Sequence, residues 1–180
     1  MSAVNKRLRA LGVVVLSVIA STGSVLGQEH PTSEIAPEFV RLRWDLFGRS
    51  FDQFTGWSLT FTHHFGPHFG IAAEGLSVRA SSGSSDASIF KFGVGPRWSS
   101  RPHERVAMFF QTSFGSMSAA SGSRDSGLYV TAAGGVELAV RRWIALRMAT
   151  GYPLLTDDRV GLQVSFGPSF RFRKPEPSSE

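Results

Sequence analysis

The sequence predicts an all-β protein: an eight-stranded antiparallel up-and-down transmembrane β-barrel. Three observations carry that prediction. From Glu38 onward apolar residues recur at every second position, and no i, i+3, i+4, i+7 spacing survives. The composition favours strands, with 19 Gly, 15 Phe and 4 Trp against only three lysines. The chain also opens with a segment of the export type.

That opening segment places Lys6, Arg7 and Arg9 before an apolar run at residues 10–20. Small polar residues follow, with Val25 and Gly27 at the −3 and −1 positions of a cleavage site. The eleven-residue run falls short of the roughly 20 residues of a spanning helix, so an N-terminal anchor or buried helix is the weaker alternative. The expected organisation is a signal peptide at 1–27, a polar lead-in at 28–37, a barrel at 38–173 and a flexible periplasmic tail at 174–180. A length of 180 residues allows one domain. Without cysteine there is no disulfide framework, thiolate metal site, cysteine nucleophile or lipoprotein signal. Hydrophobic residues at 42% and charged residues at 18% exclude a disordered chain. The formal charge of +5 at first points to nucleic acid. Removing the leader leaves 16 basic and 14 acidic residues, and no nucleic-acid partner is expected.

The strands follow in order. Val40, Leu42, Trp44 and Leu46 alternate with Arg41, Arg43 and Asp45. Trp57, Leu59, Phe61, His63 and Phe65 alternate with Ser58, Thr60, Thr62 and His64. Residues 69–79 are the least regular, with Glu74 assigned to the interior. Phe90, Phe92, Val94, Pro96 and Trp98 oppose Lys91, Gly93, Gly95 and Arg97. Met108, Phe110 and Phe114 oppose Phe109, Gln111 and Ser113. Leu128, Val130, Val136 and Leu138 oppose Tyr129, Thr131 and Glu137, and Leu146 and Met148 oppose Arg147. The last strand is the most regular, with Leu162, Val164, Phe166, Pro168, Phe170 and Phe172 against Gln163, Ser165, Gly167, Ser169 and Arg171. Short breaks at 66–68, 99–103 and 140–142 alternate with longer polar ones at 48–55, 80–87, 117–126 and 153–158. Short turns on one side and longer loops on the other is the layout of an outer-membrane barrel, with both termini on the short-turn side.

Alternation alone does not say which face is wet. A soluble barrel would turn its apolar face inward, and a membrane barrel reverses the order. The second face here is rich in Gly, Ala, Ser and Thr, and Lys91 is the single lysine in the strands. A solvated exterior would carry many Lys and Glu. Large aromatics stand near strand ends on the apolar face (Trp57, Phe65, Phe69, Trp98, Trp143, Tyr152 and Phe172), as interfacial girdles do. The reading is therefore a membrane barrel.

Residues 38–173 resemble the small bacterial eight-stranded outer-membrane barrels of the OmpA/OmpX type. The most specific match lies at residues 165–172 (SFGPSFRF), where Ser165, Gly167, Phe170 and Phe172 fall in the pattern of the β-signal. The resemblance implies that the barrel-assembly machinery reads these four residues during insertion. It also implies location in the cell outer membrane among lipids and lipopolysaccharide, as a monomer. One departure stands out, since residues 173–180 continue past the last aromatic, and no peptidoglycan-binding domain is expected after the barrel.

Chemistry finds little support. His63, His64 and His68 cluster, but adjacent strand residues point to opposite faces, so His63 and His64 do not readily share a metal ion. A lipid A deacylase on this fold would need a His-x-Ser start, which does not occur. Gly93-x-Gly95 precedes no helix and is not a nucleotide loop. No catalytic residue, cofactor or metal is expected. The candidate site is instead a charged interior: Arg41, Arg43, Asp45, Glu74, Lys91, Arg97, Glu137, Arg147 and Arg171. An eight-stranded barrel is wide enough only for side chains, so charges inside it must be paired. The expected function is a structural or surface-interaction role with a plugged interior. A gated channel, in which Arg–Glu pairs rearrange, is the alternative, and a lipid-modifying enzyme the third.

Overall fold

A computed structural model describes residues 33–46, 49–82, 85–100, 105–121, 123–155 and 161–172; side chains at 44–46, 49–52, 81–82, 85, 121, 123–125 and 155 lie outside the description. Eight strands pair in sequence order and close: β1 (Ser33–Leu46), β2 (Arg49–His64), β3 (Phe69–Ser82), β4 (Ser85–Ser99), β5 (Val106–Ser121), β6 (Ser123–Arg141), β7 (Ile144–Leu155) and β8 (Leu162–Phe172). Every neighbour is antiparallel, and β1 meets β8 through pairs such as Ser33↔Phe172 and Arg41↔Val164. Closure gives each strand a paired neighbour on both sides, the condition for crossing a bilayer with strands.

The exterior follows from the alternation. Leu59, Phe61, Phe92, Phe110 and Leu146 stand exposed, while their strand neighbours are buried. The interior is filled in two layers. One end contains the start of β1, the end of β8 and the β2–β3 and β6–β7 turns; it is called the terminal end. The other contains the β3–β4 and β5–β6 hairpins and is called the hairpin end.

Three features differ from the sequence expectation. β1 begins at Ser33, inside the segment read as a lead-in, because Ile35 and Phe39 face outward and Glu34 and Glu38 inward on a continuous ladder with β2. The Ser- and Gly-rich stretches read as long loops are mostly strand. Pairs run to Ser82↔Ser85 and Ser121↔Ser123, so the ribbons extend to the hairpin tips. Small alternating residues suit this, since Ala80, Ala87, Ala119 and Met117 fill the narrow interior there. The strands accordingly reach 11 to 19 residues, and all but β8 exceed the roughly 9–11 a bilayer requires. The third difference is the face of β1. Val40 and Leu42 are buried inside the barrel, and Arg41 and Arg43 are exposed outside it.

The β1–β8 ladder is interrupted between Ile35↔Phe170 and Phe39↔Phe166. Pro37 and Pro168 face each other in that gap, and neither has an N–H to donate. Gly167 is required here: a Cβ on it would stand 2.2 Å from the carbonyl oxygen of Pro37.

Candidate functional site in the barrel lumen

The terminal half of the lumen is ionic. Arg97 on β4 hydrogen-bonds Glu137 on β6 through Nη2, and Arg171 on β8 donates to the other oxygen of Glu137 at 2.9 Å. Glu34 on β1 bridges the same pair, 3.5 Å from Arg97 Nη2 and 3.4 Å from Arg171 Nε, with His64 Nε2 at 3.5 Å. Beside this cluster Arg147 on β7 lies 3.5 Å from Glu38, which accepts a 3.0 Å hydrogen bond from Ser165 Oγ. Phe109 sits between two guanidiniums, with Arg97 at 4.2 Å and Arg147 at 4.3 Å from its ring centroid. Those two cations would otherwise repel each other across a low-dielectric space, and the ring's negative faces separate and bind both.

A second group crosses the middle of the lumen. Lys91 Nζ lies 3.3 Å from Glu74 and donates to Gln163 Oε1 at 2.9 Å, while Gln163 Nε2 donates back to Glu74 at 3.2 Å. Lys91 also reaches Thr131 at 3.4 Å and stands 5.0 Å from the Tyr129 ring. Above this level the hairpin half is apolar. Val40, Leu42, Phe54, Leu76, Val78, Ile89, Met117 and Tyr129 pack together there. Among the described residues the interior cations Lys91, Arg97, Arg147 and Arg171 are matched by Glu34, Glu38, Glu74 and Glu137. A buried charge without a partner is strongly disfavoured, and this balance lets a narrow lumen hold eight of them.

Six residues picked out in the sequence converge here: Glu74, Lys91, Arg97, Glu137, Arg147 and Arg171. Arg41 and Arg43 do not, because the apolar hairpin half claims Val40 and Leu42 and so turns the arginines outward. The side chain of Asp45 lies outside the described residues. The sequence reading missed Glu34, Glu38 and the clamp role of Phe109. One signal was available, since the chosen set held six cations against three carboxylates, an imbalance that a dry interior does not support.

Among the described residues the histidines occupy three environments. His63 faces outward and pairs with Ser33 Oγ at 3.1 Å, and His64 faces Glu34 inside. His68 sits in the β2–β3 turn, its Nδ1 2.9–3.0 Å from the carbonyl oxygens of Ser99 and Ser100. On β8, Ser165 and Gly167 point inward and Phe172 outward, while the Phe170 ring stacks on Trp143 at 6.4 Å.

The fold is that of the small eight-stranded outer-membrane barrels. Neisserial surface protein A superposes with a TM-score of 0.68 at 12% identity, covering 78% of this chain and 97% of that one. The outer membrane protein OprG of Pseudomonas aeruginosa gives 0.64 at 10% identity, covering 84% and 100%. Ail, the attachment invasion locus protein of Yersinia pestis, gives 0.59 at 16% identity, covering 81% and 100%. No family model and no curated protein matches the sequence.

Proposed function

We propose that this chain is a non-enzymatic, monomeric, integral outer-membrane barrel whose lumen is closed by its own side chains, and whose role is structural or surface-interacting. The supporting observation is the division of the lumen into a charge-balanced terminal half and an apolar hairpin half, which together leave side chains where a conduit would run. The apolar exterior supplies the surface that membrane lipids cover. The likeness to outer-membrane barrels supports the choice of membrane. In this reading the barrel-assembly machinery recognises Ser165, Gly167, Phe170 and Phe172 during insertion, and no nucleic acid or cofactor takes part.

Fractionation of cells expressing the full chain tests the membrane assignment. The protein is expected in the outer-membrane fraction, with gel migration that shifts on boiling. Recovery in the soluble fraction without such a shift would overturn it.

A further inference from the structure

The inversion of β1 creates a surface that the plugged-barrel reading does not use. Arg41 and Arg43 are exposed on the outer wall, and the row through Arg41 runs Arg41↔Thr55 and Thr55↔Arg79, with Arg79 also exposed. Strand spacing places Arg41 and Arg79 about 10 Å apart, and Arg43 stands about 7 Å further along β1 from Arg41. Among the described residues no carboxylate pairs with any of the three. One outward position toward the terminal end, the row becomes apolar: Phe39 packs edge-on against Trp57 at 5.7 Å and against Phe166 at 5.6 Å. These rings, with Pro37 and Pro168, line an outward groove of about 410 Å³ over the interrupted β1–β8 ladder. The cations thus stand on the hairpin side of an apolar groove in the bilayer-facing wall.

We propose that this face is a binding site for a phosphorylated glycolipid of the outer leaflet, its acyl chain in the groove and its phosphates on Arg41, Arg43 and Arg79. Guanidiniums bind phosphate through paired, charge-assisted hydrogen bonds, and three within such a distance suit a headgroup with two phosphates. Groove and cations belong to one wall, so a single amphiphile satisfies both. The inference rests on the proposed outer-membrane reading, with the end opposite the termini and short turns facing the outer leaflet.

The test is native mass spectrometry of the full chain, folded in detergent, with added bis-phosphorylated lipid A. Folding of each variant is verified by heat-modifiable migration. One lipid is expected to remain on the wild type. Retention should fall roughly tenfold or more in the Arg41→Gln/Arg43→Gln/Arg79→Gln variant, in keeping with the loss of hydrogen bonds to charged groups. Arg105→Gln/Arg141→Gln/Arg142→Gln, which removes the same charge from exposed positions toward the terminal end, should retain lipid like the wild type. Lipid A stripped of both phosphates should not be retained, and inorganic pyrophosphate at equal concentration should not displace the bound lipid. Undiminished retention by the first variant, equal loss in the second, or retention of the stripped lipid would overturn the site. Displacement by pyrophosphate would show a free-phosphate site and overturn it equally. Any of these results in a variant that still shifts on boiling leaves the membrane-barrel reading standing.

Discussion

The two halves of the lumen solve one packing problem with different chemistry. Both are narrow cylinders filled by inward residues of the same strands. The terminal half uses Arg97, Arg147, Arg171, Glu34, Glu38 and Glu137, each held by partners on other strands. The hairpin half uses Leu42, Phe54, Leu76, Val78 and Ile89, whose contacts are non-directional. Specificity is not shared equally between the two halves. An apolar filling tolerates small changes of shape, because contact energy varies smoothly with volume. An ionic filling fixes register, because removing one partner leaves another buried charge exposed to a low-dielectric space.

That contrast can be broken most sharply at Glu137. Glu137→Gln leaves Arg97 and Arg171 short of their shared carboxylate and is expected to cost about 3–5 kcal/mol, read as a lowered urea midpoint of the folded barrel in lipid vesicles. Phe109→Leu probes the clamp between Arg97 and Arg147; it should cost about 2 kcal/mol in the same titration, more than a swap between two apolar residues ordinarily does. In the hairpin half, Ile89→Val removes one methylene from a tolerant filling, and a loss of about 1 kcal/mol is expected by equilibrium unfolding. Arg41→Gln touches neither filling. Its stability should stay within about 0.5 kcal/mol of the wild type, and a larger loss would place Arg41 back in the interior network.

The fold was largely legible because the exterior of a membrane barrel must be apolar at every second residue. On β4, Phe90, Phe92, Val94 and Trp98 leave little choice of face, and Lys91 and Arg97 follow inside. The same logic located Glu137 on β6, Arg147 on β7 and Arg171 on β8. It failed on β1, where both faces carry apolar residues: Ile35 and Phe39 outward, Val40 and Leu42 inward. Alternation then gives two answers, and only the apolar residues arriving from β2 to β6 decide between them. The pairings themselves were not legible. Glu34 and Glu137 lie on strands that share no ladder, and their meeting through Arg97 and Arg171 depends on barrel closure. The hairpin ribbons were missed for a related reason. Ser and Gly runs carry weak strand preference, and the paired partner across each ribbon supplies what local preference lacks.

Planar-bilayer recording of the purified, folded wild-type chain tests the closed lumen most directly. A lumen filled by paired charges and an apolar cluster is expected to give no unitary current steps at voltages the bilayer withstands, with Glu74→Gln and Glu137→Gln measured alongside. Reproducible ohmic steps from the wild type, altered in size by either substitution, would contradict the plug and make the Arg–Glu pairs a gate.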